Sequence, residues 1–184
     1  MNIHELRVTI ENTEGFKSFI KRFPKAYLCA GFFIIPLGSE SKDSERQEHL
    51  DYYIPSTGEI ASFNDHGEFK VEGQGVPKVM DPLSGVSLVT NEVESLVSDE
   101  LSSRGVTSTI NKMIIIVYSY NNRTIWSVTV MLSNYDFVKI KILDDKREIS
   151  DFEKVNLMSL VKIKKDDGKL GVDSSKDGSF DEAS

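Results

Sequence analysis

The sequence predicts an α+β protein made of two tandem helix-plus-antiparallel-sheet units. Three observations carry that expectation. Each half holds one amphipathic helix pattern, Phe16, Phe19, Ile20 and Phe23 in the first and Val93, Leu96, Val97 and Leu101 in the second. Each half then holds a run that is apolar at nearly every position, Tyr27 to Leu37 and Met113 to Val117, followed by strands that alternate apolar and polar. Finally, the helix faces and the hairpins recur 77 positions apart, Phe16 with Val93 and Asp51 with Val128.

The elements read as follows. Leu6, Val8 and Ile10 alternate with polar residues and suggest a short strand. Thr13 caps the first helix and Pro24 closes it. Leu50, Tyr52 and Ile54 alternate with His49, Asp51 and Tyr53, and Pro55-Ser56-Thr57-Gly58 has the composition of a turn into Ile60 to Phe63. Pairing Pro55 with Gly58 sets Leu50 and Tyr52 across from Phe63 and Ala61, with His49, Asp51 and Tyr53 on the opposite face beside Asn64, Ser62 and Ile60. Glycines and prolines between residues 64 and 85 mark a connector, with an edge strand at Phe69 to Val71.

In the second half Val86 and Leu88 read as an opening strand. Asn91 with Glu94 reads as a capping box, and Gly105 as the helix stop. Tyr120 to Arg123 suits a tight turn. Trp126, Val128 and Val130, then Val138, Ile140 and Ile142, form two alternating strands joined at Ser133 to Asp136. Ser150 with Glu153 reads as the cap of a last short helix carrying Phe152, Val155 and Met158. The units span residues 1–75 and 86–163 around a connector at 76–85. From residue 164 to 184 the composition is that of a disordered acidic tail.

Composition narrows the function. The chain has 184 residues and a net charge of -7, and an acidic balance counts against phosphate backbones as partners. The single cysteine, Cys29, lies in an apolar run and reads as a buried hydrophobe; no intramolecular disulfide is possible. The N-terminus lacks the pattern of a secretory signal and no run reaches the length of a membrane helix, so the expected compartment is the cytoplasm, without membrane contact.

The segment from Asn91 to Ile149 resembles PepSY-like domains, which have a cystatin-like helix-on-sheet architecture. The resemblance rests on the capped helix, IWSVTV with its Trp126, and VKIKILDDKREI, where Asp144 or Asp145, Glu148 and Ile149 fit the family pattern and Arg147 stands near an expected glycine. HLDYYIPSTGEIASF looks like a divergent copy of the same hairpin, and such paired units are similar to uncharacterised archaeal proteins of this size. The resemblance implies a non-enzymatic binding or inhibitory module and transfers no catalytic residue. A second architecture, the saddle of TATA-binding proteins, shares the duplicated element order. Lys139 and Lys141 on the outer face would serve it, whereas Glu59 stands where that family has a lysine.

Chemistry is sparse. No nucleophile elbow or phosphate-cradling loop is present. His49, Asp51 and His66 are the one candidate metal set, with Asn64 and Asp65 near them. Asp173, Ser175, Asp177, Gly178 and Asp181 have a partial EF-hand spacing that ends on Ser184. No cofactor is expected. Strands greasy on both sides need shelter on both sides, from the sister half, a second chain forming a homodimer, or a ligand. The expected function is a binding or scaffold protein that receives a peptide or protein partner on a sheet face or edge. The saddle-like nucleic-acid binder is the alternative.

Overall fold

The computed structural model describes residues 2–38, 46–73 and 80–156. Its elements are α1 (Ile3–Glu11), α2 (Glu14–Arg22), β1 (Tyr27–Pro36), β2 (Gln47–Ile54), β3 (Glu59–Asn64), β4 (Phe69–Glu72), α3 (Thr90–Ser103), β5 (Ile110–Tyr120), β6 (Arg123–Leu132), β7 (Asp136–Leu143) and β8 (Glu148–Asn156). The protein is α+β. All eight strands form one antiparallel sheet in the order β4-β3-β2-β1-β5-β6-β7-β8. Two four-stranded meanders therefore run outward from a central seam, where β1 pairs with β5. Both halves expected from the sequence contribute to this single sheet. The strands β2 and β6 start 76 residues apart and β3 and β7 start 77 apart, while β1 and β5 start 83 apart.

The three helices supply one face of the core. Phe16 and Phe19 of α2, Ile3, Leu6 and Ile10 of α1, and Val93, Val97 and Leu101 of α3 join Phe33, Leu50, Phe63, Ile115, Trp126 and Ile140 in one apolar cluster. Aromatic rings knit its first half: Phe16 meets Tyr52 at 4.9 Å and Phe63 at 5.4 Å, and Phe69 stacks on Phe63 at 4.7 Å. The β2–β3 hairpin has the predicted register, Leu50 with Phe63, Tyr52 with Ala61 and Asp51 with Ser62. Asn121 and Asn122, at φ 52° and 59°, make the tight turn between β5 and β6.

Several local expectations are corrected. Leu6 to Ile10 is helical. Asn2 caps α1, accepting from the His4 amide at 2.9 Å while Glu5 reaches back to the Asn2 amide. Ile3, Leu6 and Ile10 then share a helix face and Val8 points outward, so the apparent alternation was a by-product of helical spacing. Val86 and Leu88 lie in irregular backbone. The helix after them starts at Thr90, and its cap contact runs from the Val89 amide to Glu92 at 3.0 Å.

Ser150 to Asn156 is a strand. A turn at Asp144 to Arg147, with Arg147 at φ 56°, reverses the chain onto β7, and Phe152 pairs with Ile140. Ser150 sits at the bulge of this pairing, its hydroxyl donating to the Lys141 carbonyl at 3.2 Å. Cross-strand pairing overrides the local capping pattern. The predicted acidic tail and Met158 lie outside the described residues.

Candidate functional site

The greasy strands define the candidate site, because the sister half expected to shelter their second face joins them edge to edge in one sheet instead. Strand side chains alternate between faces. Phe33 and Ile35 of β1, and Met113, Ile115 and Val117 of β5, point into the helix-covered core. Their neighbours Phe32, Ile34, Ile114 and Ile116 point the other way. They pair directly across the seam, Phe32 with Ile116 and Ile34 with Ile114. Phe32, Ile34 and Ile114 are only half-buried and Ile116 is 39% exposed. All three helices lie on the other side of the sheet. Among the described residues, the connector touches this open face at one end, where Met80, with Tyr27, Ile60 and Tyr118, packs against the buried Cys29, Ala30 and Tyr53, and the Met80 carbonyl accepts a hydrogen bond from the Tyr27 hydroxyl at 2.6 Å.

The apolar stripe continues sideways through Tyr118 and Ile125, which pair with each other, and through Met131 and Phe137. Polar rows flank it. On one side stand Gln47, His49 and Asp51 of β2; on the other stand Ser127 and Thr129 of β6, then Lys139 and Lys141 of β7. The strand residues of this face include five acids, Asp51, Glu72, Glu148, Asp151 and Glu153. They also include five bases, Lys70, Lys112, Arg123, Lys139 and Lys141. The described strand residues of this face thus balance in charge, on a chain whose net charge is -7. Lys141 pairs with Asp151 at 3.2 Å and Lys139 with Glu153 at 3.8 Å, so these two lysines of β7 are each matched by a carboxylate of β8.

The sheet edges are less suited to a partner strand. β4 is four residues long, and β8 carries Glu148, Asp151, Glu153 and Lys154 along the opposite edge.

The proposed metal set is spread along one corner of the open face. His49 and Asp51 share that face on β2, and His49 lies 6.1 Å from Phe32, edge to face. His66 sits beyond the strand in the β3–β4 turn, its amide donating to the Asn64 side chain at 3.1 Å and its ring 3.6 Å from Asp65. Among the described residues, no three histidine, cysteine or acidic side chains converge on a common point. Burial raises the pKa of Asp51 above its ordinary value, against the opposing pull of a hydrogen bond from Ser62 and the nearby His49. A shallow groove of about 420 Å³ runs beside His49, Ser62, Asn64 and Lys70. The EF-hand-like spacing lies outside the described residues.

Cys29 is fully buried under the Met80 end of this face, its thiol donating to the Asp51 carbonyl at 3.2 Å. Burial, reinforced by Asp51, pushes the thiol up to about 12. The thiolate is the reactive form. The native protein should therefore ignore a thiol-specific reagent at pH 8 and react with one equivalent once denatured; rapid reaction of the folded chain would contradict this burial.

The seam residues were missed as a site because both phases of each strand are apolar, and continuous greasiness reads as burial on both faces. One signal was present in the sequence. Each half has a single strong amphipathic helix pattern, which is enough to cover one face of a sheet.

No protein-family model matches the chain, and no curated protein matches it. Among solved structures it is similar to a putative lipoprotein from Clostridium difficile 630, with a TM-score of 0.49 and 9% identity over 77% of this chain and 90% of that chain. At that distance the neighbour says nothing of what this chain does. Among the described residues no helix is long and apolar enough to cross a membrane.

Proposed function

We propose that the protein is a non-enzymatic binding or scaffold module of two PepSY-like, cystatin-like units, and that its open sheet face receives a peptide or protein partner. The observation that carries this reading is the apolar seam of Phe32, Ile34, Ile114 and Ile116, which no described element covers. Exposed contiguous apolar surface on a folded chain marks an interaction site. Polar rows on both flanks give such a patch the layout of an interface, apolar at its centre and hydrophilic at its rim. The near-constant spacing of matching helices and hairpins supports a duplicated unit. Saddle-like nucleic-acid binding gains little, because Lys139 and Lys141, the lysines that would serve it, already have carboxylate partners.

Selection of a displayed peptide library on the immobilised chain tests the reading. Enriched peptides should bind the unmodified chain and lose about tenfold or more in affinity to Ile116→Lys, because a charge would then occupy the centre of the apolar patch. A surface control, Val8→Lys on α1, should bind unchanged. Peptides that bind all three proteins equally, or no enrichment on a chain that is monomeric, would remove the sheet face as the binding site.

A further inference from the structure

Resting on that reading, we infer that the partner of the open face is a second copy of this chain, packed sheet to sheet about a twofold axis that runs along the β1–β5 seam. Three observations point to self-association. The apolar stripe is central: β1 and β5 are the middle strands, with three further strands on either side. A twofold axis on the seam therefore lays stripe on stripe, and Ile116 of one copy lies over Phe32 of the other.

The second observation is charge. Two chains of net charge -7 repel each other, yet this face has equal numbers of acids and bases. The axis direction also decides which rows meet. Turned about the strand direction, β7 lies over β3, so Lys141 meets the register position of Asn64, Lys139 lies toward the β3–β4 turn, and neither faces another lysine. Turned about an axis across the strands, Lys139 and Lys141 would face themselves, which like-charge repulsion disfavours.

The third is area. Six central strands at ~4.8 Å spacing and about seven residues at ~3.3 Å offer roughly 650 Å² per copy, or ~1,300 Å² in total, within the range of stable interfaces. Sheets stack face to face about 10 Å apart with strands near -30°, an arrangement open to half-buried Phe and Ile side chains that interdigitate.

Two experiments on the full chain decide it. In sedimentation equilibrium over a concentration series, the chain should dimerise, Ile116→Lys should weaken the dimer by about tenfold or more, and Val8→Lys should leave it unchanged. Ile116 is already solvent-facing in the single chain, so the lysine is compatible with folding; equal thermal melts at low concentration check this. In mild oxidation, an equimolar mixture of Phe32→Cys and Ile116→Cys should give a mixed covalent dimer and Val8→Cys should give none, with the buried Cys29 silent in each. A dimer indifferent to Ile116→Lys, or absence of the covalent dimer, overturns the proposal. A strict monomer that still takes up seam-directed peptides overturns self-association and leaves the binding face standing. A strict monomer that binds no peptide overturns both.

Discussion

Asp144→Ala should lower the stability of the protein by about 3 kcal/mol or more, the largest single loss expected outside the hydrophobic core. Asp144 is 2% exposed and sits at the start of the β7–β8 turn. Its Oδ1 accepts from the Trp126 indole at 2.8 Å and from the Leu88 amide at 3.0 Å. Its Oδ2 accepts from the Ser87 amide and hydroxyl, both at 2.8 Å. One carboxylate thus ties the segment that leads into α3 to β6 and to the last hairpin. Removing it orphans buried donors on two elements at once. Asp144→Asn should fare little better, since its amide nitrogen would turn one acceptor position toward donors. Trp126→Phe, which removes one donor and keeps most of the ring volume, should cost less, about 1–2 kcal/mol. Urea unfolding followed by circular dichroism reads all three, and losses below about 1 kcal/mol for Asp144→Ala would contradict the role assigned to the carboxylate.

The same site sets an acid limit. Burial alone would raise Asp144, but the hydrogen bonds from Trp126, Leu88 and Ser87 outweigh it and hold the carboxyl below its ordinary value of 3.8. A depressed native pKa favours the folded state wherever the carboxylate is charged. That contribution is complete above the ordinary value and is lost as pH falls through it toward the lower native one. Stability of the unmodified chain should therefore drop between pH 5 and about pH 3, with a shallower slope in Asp144→Asn.

Gly67→Ala should cost about 2–3 kcal/mol. Gly67 holds φ at +78° in the β3–β4 turn, and a Cβ there would meet the Thr13 side chain at its hydroxyl, its Cβ and its methyl. Thr13 cannot simply yield, because it caps α2 by accepting from the Phe16 amide at 3.2 Å. The substitution therefore strains a left-handed residue and disturbs a helix cap together. Gly85→Ala separates the two effects. Gly85 has φ +69° with nothing within 4 Å of an added Cβ, so only the backbone term remains, about 1 kcal/mol. Equal losses at the two glycines would show that the packing of the turn on α2 contributes nothing.

Local patterns were legible where one physical signal acted alone. Thr13 capping Phe16 to Phe23, the paired asparagines at 121 and 122, and the register of Leu50 with Phe63 all follow from side-chain periodicity and turn chemistry, and all are present. Signals that two structures share were misread. Leu6, Val8 and Ile10 satisfy a strand's alternation, and Leu6 and Ile10 also satisfy a helix face; Ile3 and the Asn2 cap decide for the helix. Ser150 and Glu153 satisfy a capping box, yet β7 offers eight residues of backbone to pair with, and Phe152 gains more on the sheet. Asp144 was visible as a motif residue. Its partners Ser87 and Leu88 are more than fifty positions away, and no spacing in the chain announces them. The open face was hidden for the opposite reason, since Phe32 and Ile116 resemble core residues in every local respect.

The layout of the sheet also bears on how the chain assembles. Among the described residues, six of the seven strand pairings join strands adjacent in the chain, and β1–β5 joins distant ones. Neighbouring hairpins close short loops and form quickly, whereas the central pairing must close some eighty residues. The two meanders can therefore zip up independently during synthesis, and their union is the topologically demanding event. Until it happens, β1 and β5 are raw edges rich in Phe and Ile, so the moment of greatest risk of misassociation falls just before the middle of the sheet is joined.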